Sequence, residues 1–450
     1  MKKVFGTDGV RGIANQYPIT AEFALRLGIA VGNLSKKTTQ TKRVLIGKDT
    51  RQSGYMLETA LAAGFTSVGM DVYLLGPVST PAIGILTKAM RADIGVMISA
   101  SHNSFEDNGI KLFGPDGFKL SDDVELQIEE LISKEPDLVG STEIGRVRRI
   151  NDGLGRYVEF VKSTVSSKMR LDGFKVVIDC ANGATYKSAP QVFWELGANV
   201  ITVGVSPNGR NINLDCGSMH TDLAAKKVLE TGADLGVCLD GDGDRVALID
   251  EKGKVISGDQ LIAVLARDWF KTGKLSKKMV VSTVMANIGL ERYLGDLGIE
   301  LIRTPVGDRY VVEKMREHGC NLGGEQSGHI LATEFATTGD GLIAGLQICS
   351  ALADSQVRAS EFLNVFQPIP QKTINVTFDV NVDPLKSDTI VKEIDKAQKE
   401  ISKNGRLLVR KSGTEPVLRI MGESEDKILL DKLLKQVATV IEKINKYGSK

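Results

Sequence analysis

The sequence predicts an α/β protein: three successive α/β units followed by a smaller α+β unit. Two patterns predict it. Short β-branched runs alternate with helix-length amphipathic segments, the order that builds parallel sheet, and this order starts again at Val176-Val177-Ile178-Asp179 and at Met279-Val280-Val281-Ser282. Towards the C-terminus it changes to strand, helix, strand, strand, helix, which favours antiparallel pairing. A length of 450 residues leaves each unit enough chain for a core of its own.

In chain order, the first unit reads as strands at Val44 to Ile46, Val72 to Leu75 and Ile94 to Ile98, with a helix from about Ser53 to Val68. A charged, poorly periodic stretch from Ser133 to Asp152 precedes a helix near Tyr157 and marks the first boundary. The expected domains are 1–153, 154–253, 254–368 and 369–450. Pro368-Ile369-Pro370 reads as a linker, because two prolines fix extended backbone and remove hydrogen-bond donors. Beyond it come a strand at Ile374 to Val380, a helix from about Lys386 to Ser402, strands at Arg406 to Val409 and Val417 to Met421, and a final helix from about Asp426.

Composition excludes several function classes. Lys and Arg number 57 against 56 Asp and Glu, a net charge of +1, so no global field attracts a nucleic acid or an anionic membrane. Any anion site is therefore local. Five cysteines without a close pair suit neither a disulfide framework nor a zinc site, and point to a reducing cytoplasm. The most apolar stretch, Gly341 to Ala353, is too short and too interrupted to span a bilayer.

Four loops carry side chains suited to chemistry. Ser99-Ala100-Ser101-His102-Asn103-Ser104 follows an apolar strand, where ligands bind in open α/β sheets, and sets a hydroxyl beside an imidazole. A polar turn is the alternative reading, and Lys111 follows closely. Asp240-Gly241-Asp242-Gly243-Asp244-Arg245 places three carboxylates at alternate positions on a glycine-softened loop, able to converge on one hard cation. An EF-hand is the rival, with Glu251 at its twelfth position, but Arg245 stands where that loop needs glycine.

The third loop, Gly323-Gly324-Glu325-Gln326-Ser327-Gly328-His329, offers hydrogen-bonding groups to a polyhydroxyl ligand, with a capped turn as the equal alternative. The fourth, Arg410-Lys411-Ser412-Gly413-Thr414-Glu415-Pro416, with Arg419 beyond it, is a phosphate cradle or a solvated basic hairpin. The glycine-rich turn Gly6-Thr7-Asp8-Gly9-Val10-Arg11-Gly12 adds Arg11 as a further cation. His220 and His318 lie outside these loops and read as surface or structural residues.

In this order the loops resemble those of the α-D-phosphohexomutase superfamily over essentially the whole chain. The resemblance implies three related α/β domains with mixed, largely parallel sheets and a smaller fourth domain around a central cleft. It implies a phosphoserine at Ser101, one Mg2+ held by that residue with Asp240, Asp242 and Asp244, and sugar hydroxyls held by Glu325 and Ser327. The distal phosphate would dock on Arg410, Ser412, Gly413, Thr414 and Arg419. Arg11, Lys111 and Arg245 would offset charge, with Lys111, His102 and His329 as general acid or base. Ser104 departs from the proline usual there and implies a looser turn.

Within the superfamily, the N-terminal Phe5 to Gly12 motif and Gln326 are similar to the amino-sugar branch. That implies interconversion of glucosamine 6-phosphate and glucosamine 1-phosphate through glucosamine 1,6-bisphosphate, on the route to UDP-N-acetylglucosamine. Phosphomannomutase or phosphoglucomutase activity is the alternative within the superfamily, and a metal-dependent sugar phosphatase or a sugar-phosphate binder outside it. The expected partner is a small sugar phosphate, with no nucleic acid and no membrane; the assembly, monomer or homodimer, stays open.

Overall fold

The computed structural model describes residues 4–6, 8–36, 41–378, 384–411 and 416–447. By contacts it divides into two compact units, one of residues 1–286 and 297–365, the other of 287–296 and 366–450.

The larger unit holds three sheets, and all are mixed. In the first, Arg43–Lys48 runs parallel to Asp71–Pro77 and to Ile94–Ile98, after which Asp107–Phe113 and Val10–Ile13 add antiparallel strands on one side. In the second, Lys175–Asp179 is parallel to Asn199–Val203 and Leu235–Leu239, and Val246–Asp250 turns back antiparallel. In the third, Met279–Thr283 is parallel to Glu300–Thr304 and Leu322–Gly324, with Ile330–Ala332 antiparallel. One syntax therefore occurs three times. Each sheet ends its parallel part on a strand whose next loop leads into an antiparallel partner, and those three loops are the Ser101, Asp240 and Glu325 loops.

These central strands are apolar because both faces are covered: every residue of Ile94–Ile98 and of Leu235–Leu239 is buried. Beside the first sheet, the helices Ala21–Ser35 and Ser53–Ser67 pack at glycines. A Cβ on Gly64 would come 2.3 Å from Leu25 O, so no larger residue permits that approach. The charged stretch before Tyr157, which the sequence left without structure, contains a short strand, Val147–Arg149, parallel to Asp71–Pro77. Its three residues are all exposed, so it pairs through backbone alone and has no hydrophobic pattern to read.

The helix Gly341–Ser355 begins on Asp340, whose Oδ1 accepts from the Ile343 N–H at 2.9 Å while Oδ2 accepts from the Tyr157 hydroxyl at 2.9 Å. All five cysteines are buried and free. Among the described residues no helix is long and apolar enough to cross a membrane.

In the smaller unit, Val417–Ser424 is the central strand between Gln371–Thr377 and Gly405–Lys411, all antiparallel. The helices Asp388–Ile401 and Lys427–Tyr447 contribute Ile390, Ala397, Leu433 and Ile441 to its core. A third helix, Ile288–Asp296, lies in sequence between two strands of the third sheet yet belongs to this unit by contacts. Asn287 exchanges two hydrogen bonds with the Ile369 backbone, at 2.9 and 3.0 Å, and Arg292 meets Glu425 at 2.5 Å. By contacts the smaller unit thus takes in 287–296 as well as the chain from 366 onward.

Candidate functional site

Ser101 is set by an unusual backbone. Its φ of 53° lies in the left-handed region that non-glycine residues avoid, at a cost of about 1 kcal/mol. The loop is held from three sides. The Ser101 N–H donates to Ser99 Oγ at 2.9 Å, and its carbonyl accepts from Asn213 Nδ2 at 2.9 Å and from Arg51 at 3.2 Å. Arg51, fully buried and paired with Asp49, also donates to the Asn103 carbonyl at 2.6 Å. Gly241 of the acidic loop closes over the same carbonyl, where a Cβ would come within 2.6 Å.

So oriented, Ser101 Oγ donates to Asp240 Oδ2 at 2.6 Å and lies 3.4 Å from His102 Nδ1. Burial, then the charges of Arg245 and Arg11, push the His102 pKa down to about 4. Its imidazole is neutral at pH 7.

The acidic loop folds as a tight turn between antiparallel strands, with Gly243 at φ 73°. Backbone donors from elsewhere pin it: Thr80 N–H to Asp242 O at 2.9 Å, Ala184 N–H to Gly241 O at 2.8 Å, and Gly341 N–H to Gly243 O at 3.0 Å. Asp240, Asp242 and Asp244 are buried, with one carboxylate oxygen of each lying within 4.8 Å of the others. Lys111 Nζ sits 2.9 Å from Asp242 Oδ2 and 3.2 Å from Asp244 Oδ2. The Oδ1 atoms of both aspartates are buried without a hydrogen-bond partner.

The two ends of the loop differ electrostatically. Burial first, then the Asp244 and Asp242 charges, raise the Asp240 pKa well above the carboxylate range. Burial acts in the same direction on Asp244, but Lys111, His329 and Arg245 outweigh it and hold that carboxyl well below. Three converging carboxylates with two orphaned oxygens fit a hard divalent cation. The EF-hand alternative fails: both flanks are strands, and Glu251 accepts from the Ser360 N–H at 2.8 Å instead of facing the loop.

In the third loop Glu325 accepts from the Gly307 N–H at 3.1 Å and faces Ser327 Oγ at 3.4 Å, and Ser327 is exposed. Gly328, at φ 85°, packs on Val246 O, where a Cβ would fall 2.1 Å away. His329 is thereby carried inward, 3% exposed, with Nδ1 3.6 Å from Asp244 and Nε2 3.4 Å from Asp308. Burial opposes its protonation, but the Asp244 and Asp308 carboxylates outweigh that and raise its pKa to about 10.

Ser101, His102, Lys111, the three aspartates and His329 therefore form one centre. Arg11 is joined to it through Asp8, which pairs with Arg11 and lies 3.3 Å from Lys111. Arg410 and Arg419 belong to the smaller unit, where they face each other across adjacent antiparallel strands. Burial, then the Arg419 charge, lowers the Arg410 pKa. Ser412, Gly413 and Thr414 lie outside the described residues. Sequence reasoning missed Arg51, Asp8, Lys119 and Asp308. Only Arg51 carried a local signal, its place just after the apolar strand Arg43–Lys48.

Models of the four phosphoglucomutase/phosphomannomutase domains match the chain at residues 2–138 (domain I), 155–253 (domain II), 257–369 (domain III) and 374–440 (C-terminal domain). The chain is 57% identical over 443 residues to a phosphoglucosamine mutase of Paracoccus denitrificans, covering 98% of this chain and 99% of that protein. Against one of Parvibaculum lavamentivorans the identity is 56%, with the same coverage. Among solved structures, a phosphoglucomutase/phosphomannomutase family protein of Burkholderia thailandensis superposes with a TM-score of 0.82 at 22% identity, covering 100% of this chain and 98% of that one. The Aspergillus fumigatus N-acetylphosphoglucosamine mutase in complex with GlcNAc-6P and magnesium gives 0.67 at 17%, covering 98% and 96%.

Proposed function

The chain belongs to the phosphoglucomutase/phosphomannomutase family, and we propose that it acts as a phosphoglucosamine mutase, interconverting glucosamine 6-phosphate and glucosamine 1-phosphate. The observation that carries the reading is the 2.6 Å contact between the Ser101 hydroxyl and a buried carboxylate triad in a chain 57% identical to proteins of that name.

In this reading Ser101 is phosphorylated and passes its phosphoryl group to the free hydroxyl of the sugar phosphate, giving glucosamine 1,6-bisphosphate. The bisphosphate turns over and returns its other phosphate to Ser101. Asp240, Asp242 and Asp244, with the Ser101 phosphate, would hold Mg2+, whose charge would stabilise the negative charge that develops during phosphoryl transfer. The strained backbone fixes where Oγ stands, and positioning of this kind lowers the barrier to phosphoryl transfer.

Lys111 and Arg11 offset charge that a phosphate of about −2 adds to the carboxylates. His329, protonated at neutral pH, and neutral His102 are suited to donating and accepting a proton respectively. Glu325 and Ser327 would bind sugar hydroxyls, and Arg410 with Arg419 would dock the distal phosphate in either orientation. The five free, buried cysteines suit a cytoplasmic enzyme.

A coupled assay over glucosamine, glucose, mannose and N-acetylglucosamine 6-phosphates, each with its 1,6-bisphosphate as activator, tests the reading. Glucosamine 6-phosphate should give the highest kcat/KM, and faster turnover of a neutral hexose phosphate would overturn the assignment.

A further inference from the structure

Six ionisable side chains close a ring of alternating charge. Asp244 Oδ2 lies 3.2 Å from Lys111, and Lys111 lies 3.3 Å from Asp8 Oδ2. Asp8 pairs with Lys119, whose Nζ lies 2.6 Å from Asp308 Oδ2. Asp308 faces His329 Nε2 at 3.4 Å, and His329 Nδ1 returns to Asp244 Oδ1 at 3.6 Å. The members come from segments up to 321 residues apart (329 − 8), so the ring is a product of the fold. Half of it, from Asp8 through Lys119 to Asp308, touches none of the three converging aspartates.

That half has a specific task. The oxygen facing His329 Nδ1, Asp244 Oδ1, is one of the two orphaned oxygens that suit a divalent cation. A cation there competes directly with the imidazole, which then keeps Asp308 alone. Asp308 is the remaining charged neighbour of the imidazole: Oδ2 lies 3.4 Å from Nε2, an ion contact short of hydrogen-bond geometry. Its Oδ1 accepts from the Arg309 N–H at 2.8 Å in the first turn of the helix Asp308–His318, which leaves Oδ2 for Lys119 and His329.

The ring of His329 also lies against Gly339, where a Cβ would meet ring atoms at 2.4 to 2.7 Å. Contact on that face leaves the orientation to the partners of the two nitrogens. Gly307, the residue before Asp308, donates to Glu325, so one turn borders both the imidazole and the third loop.

We propose that Asp308, tied to Asp8 through Lys119, is a positioning residue that keeps His329 in place beside the reacting atoms when a divalent cation takes Asp244. The inference rests on the mutase reading for its kinetic consequence but not for its geometry. The contrary view is that these groups only staple distant segments together.

Asp308→Asn keeps size and the backbone-accepting oxygen while removing the charge. Its kcat for glucosamine 6-phosphate should fall about tenfold or more with KM changed less than about threefold, and Asp308→Glu should recover part of the loss. Imidazole 15N signals of His329, assigned with His329→Gln, should be sharp in Mg2+-loaded wild type and shifted or broadened in Mg2+-loaded Asp308→Asn. Lys119→Met, which breaks the same half of the ring without touching the imidazole, should change both readouts in the same direction, and it serves if Asp308→Asn fails to fold. A wild-type kcat and unaltered His329 signals in either folded variant would overturn the proposal. So would a loss carried wholly by KM or by melting temperature. Absence of mutase activity in the wild type would sink the functional reading alone, since the imidazole signals report the positioning without turnover.

Discussion

The Ser101 hydroxyl donates to Asp240 Oδ2 at 2.6 Å, joining the first sheet's reactive loop to the second sheet's acidic loop. A phosphate on Ser101 would stand against a buried carboxylate, a repulsion that a cation between them relieves. Intact-mass analysis should find part of the purified protein heavier by one phosphate, mapped to Ser101. Calorimetry should show Mg2+ binding weakened about tenfold or more after phosphatase treatment. A wild-type rate in Ser101→Ala would refute the assignment.

Replacing Asp242 by Asn should separate metal binding from folding. It removes a carboxylate whose Oδ1 is orphaned, while the Thr80 N–H keeps its bond to the residue 242 carbonyl. The Mg2+ dissociation constant should rise about tenfold or more and turnover should collapse while the metal-free protein stays folded, its loss of stability limited to that of the Lys111 pair. Full activity after exhaustive chelation of the wild type would remove the metal from the mechanism.

Arg51→Lys should be far from conservative. One guanidinium serves Asp49 and the Ser101 and Asn103 carbonyls, a fork that a single ammonium cannot reproduce. The expected cost is about 2–4 kcal/mol in chemical denaturation, and kcat should fall at least as far as for loss of a hydrogen bond made directly to substrate. Wild-type kcat in a folded Arg51→Lys protein would show that the strained Ser101 backbone holds without the clamp.

Asp340 should make stability fall as pH rises towards neutrality. Burial raises its pKa to about 7 in the folded protein, and the hydrogen bonds it accepts from Ile343 and Leu342 backbone and Tyr157 only partly oppose this. The folded state therefore binds a proton that the unfolded state has released between about pH 4 and 7. Its contribution is complete below the unfolded value and is lost as pH climbs through 7. Asp340→Asn keeps an oxygen for the Ile343 N–H and cannot ionise, so its stability should decline less over this range, by on the order of 2 kcal/mol. Parallel urea curves at pH 4.5 and 7.5 would show the difference, and equal slopes for the two proteins would rule it out.

What could be read from sequence was what local patterns encode. Apolar strands of five residues run up to Ser99 and Asp240, so strand ends marked two of the loops, while the Glu325 loop follows only the three-residue strand Leu322–Gly324 and was marked by its own residues. Arg51 was missed because its one local signal, a place just after an apolar strand, competes with the ordinary reading of a charged residue in a polar turn as solvated. Its burial depends on carbonyls supplied some fifty residues later, at Ser101 and Asn103. The ring through Asp8, Lys119 and Asp308 is harder still, since no spacing rule relates residues 189 positions apart. The helix Ile288–Asp296 has an ordinary crossover pattern, and nothing in its own residues announces that its contacts are with the C-terminal unit.

That helix bears on how the gene can be cut and recombined. The polypeptide changes unit at 286/287, at 296/297 and at 365/366, so the C-terminal part is not inherited as one uninterrupted stretch. A fragment beginning at Phe366 would lack Asn287, Arg292 and Tyr293, which partner Ile369, Glu425 and Phe366. Transplanting that part between relatives at the proline-rich junction would likewise carry one side of a matched surface and leave the other behind. A chimera that also exchanges 287–296 keeps both sides together, which makes these ten residues the natural companion of any domain swap and a stretch expected to evolve in step with the C-terminus.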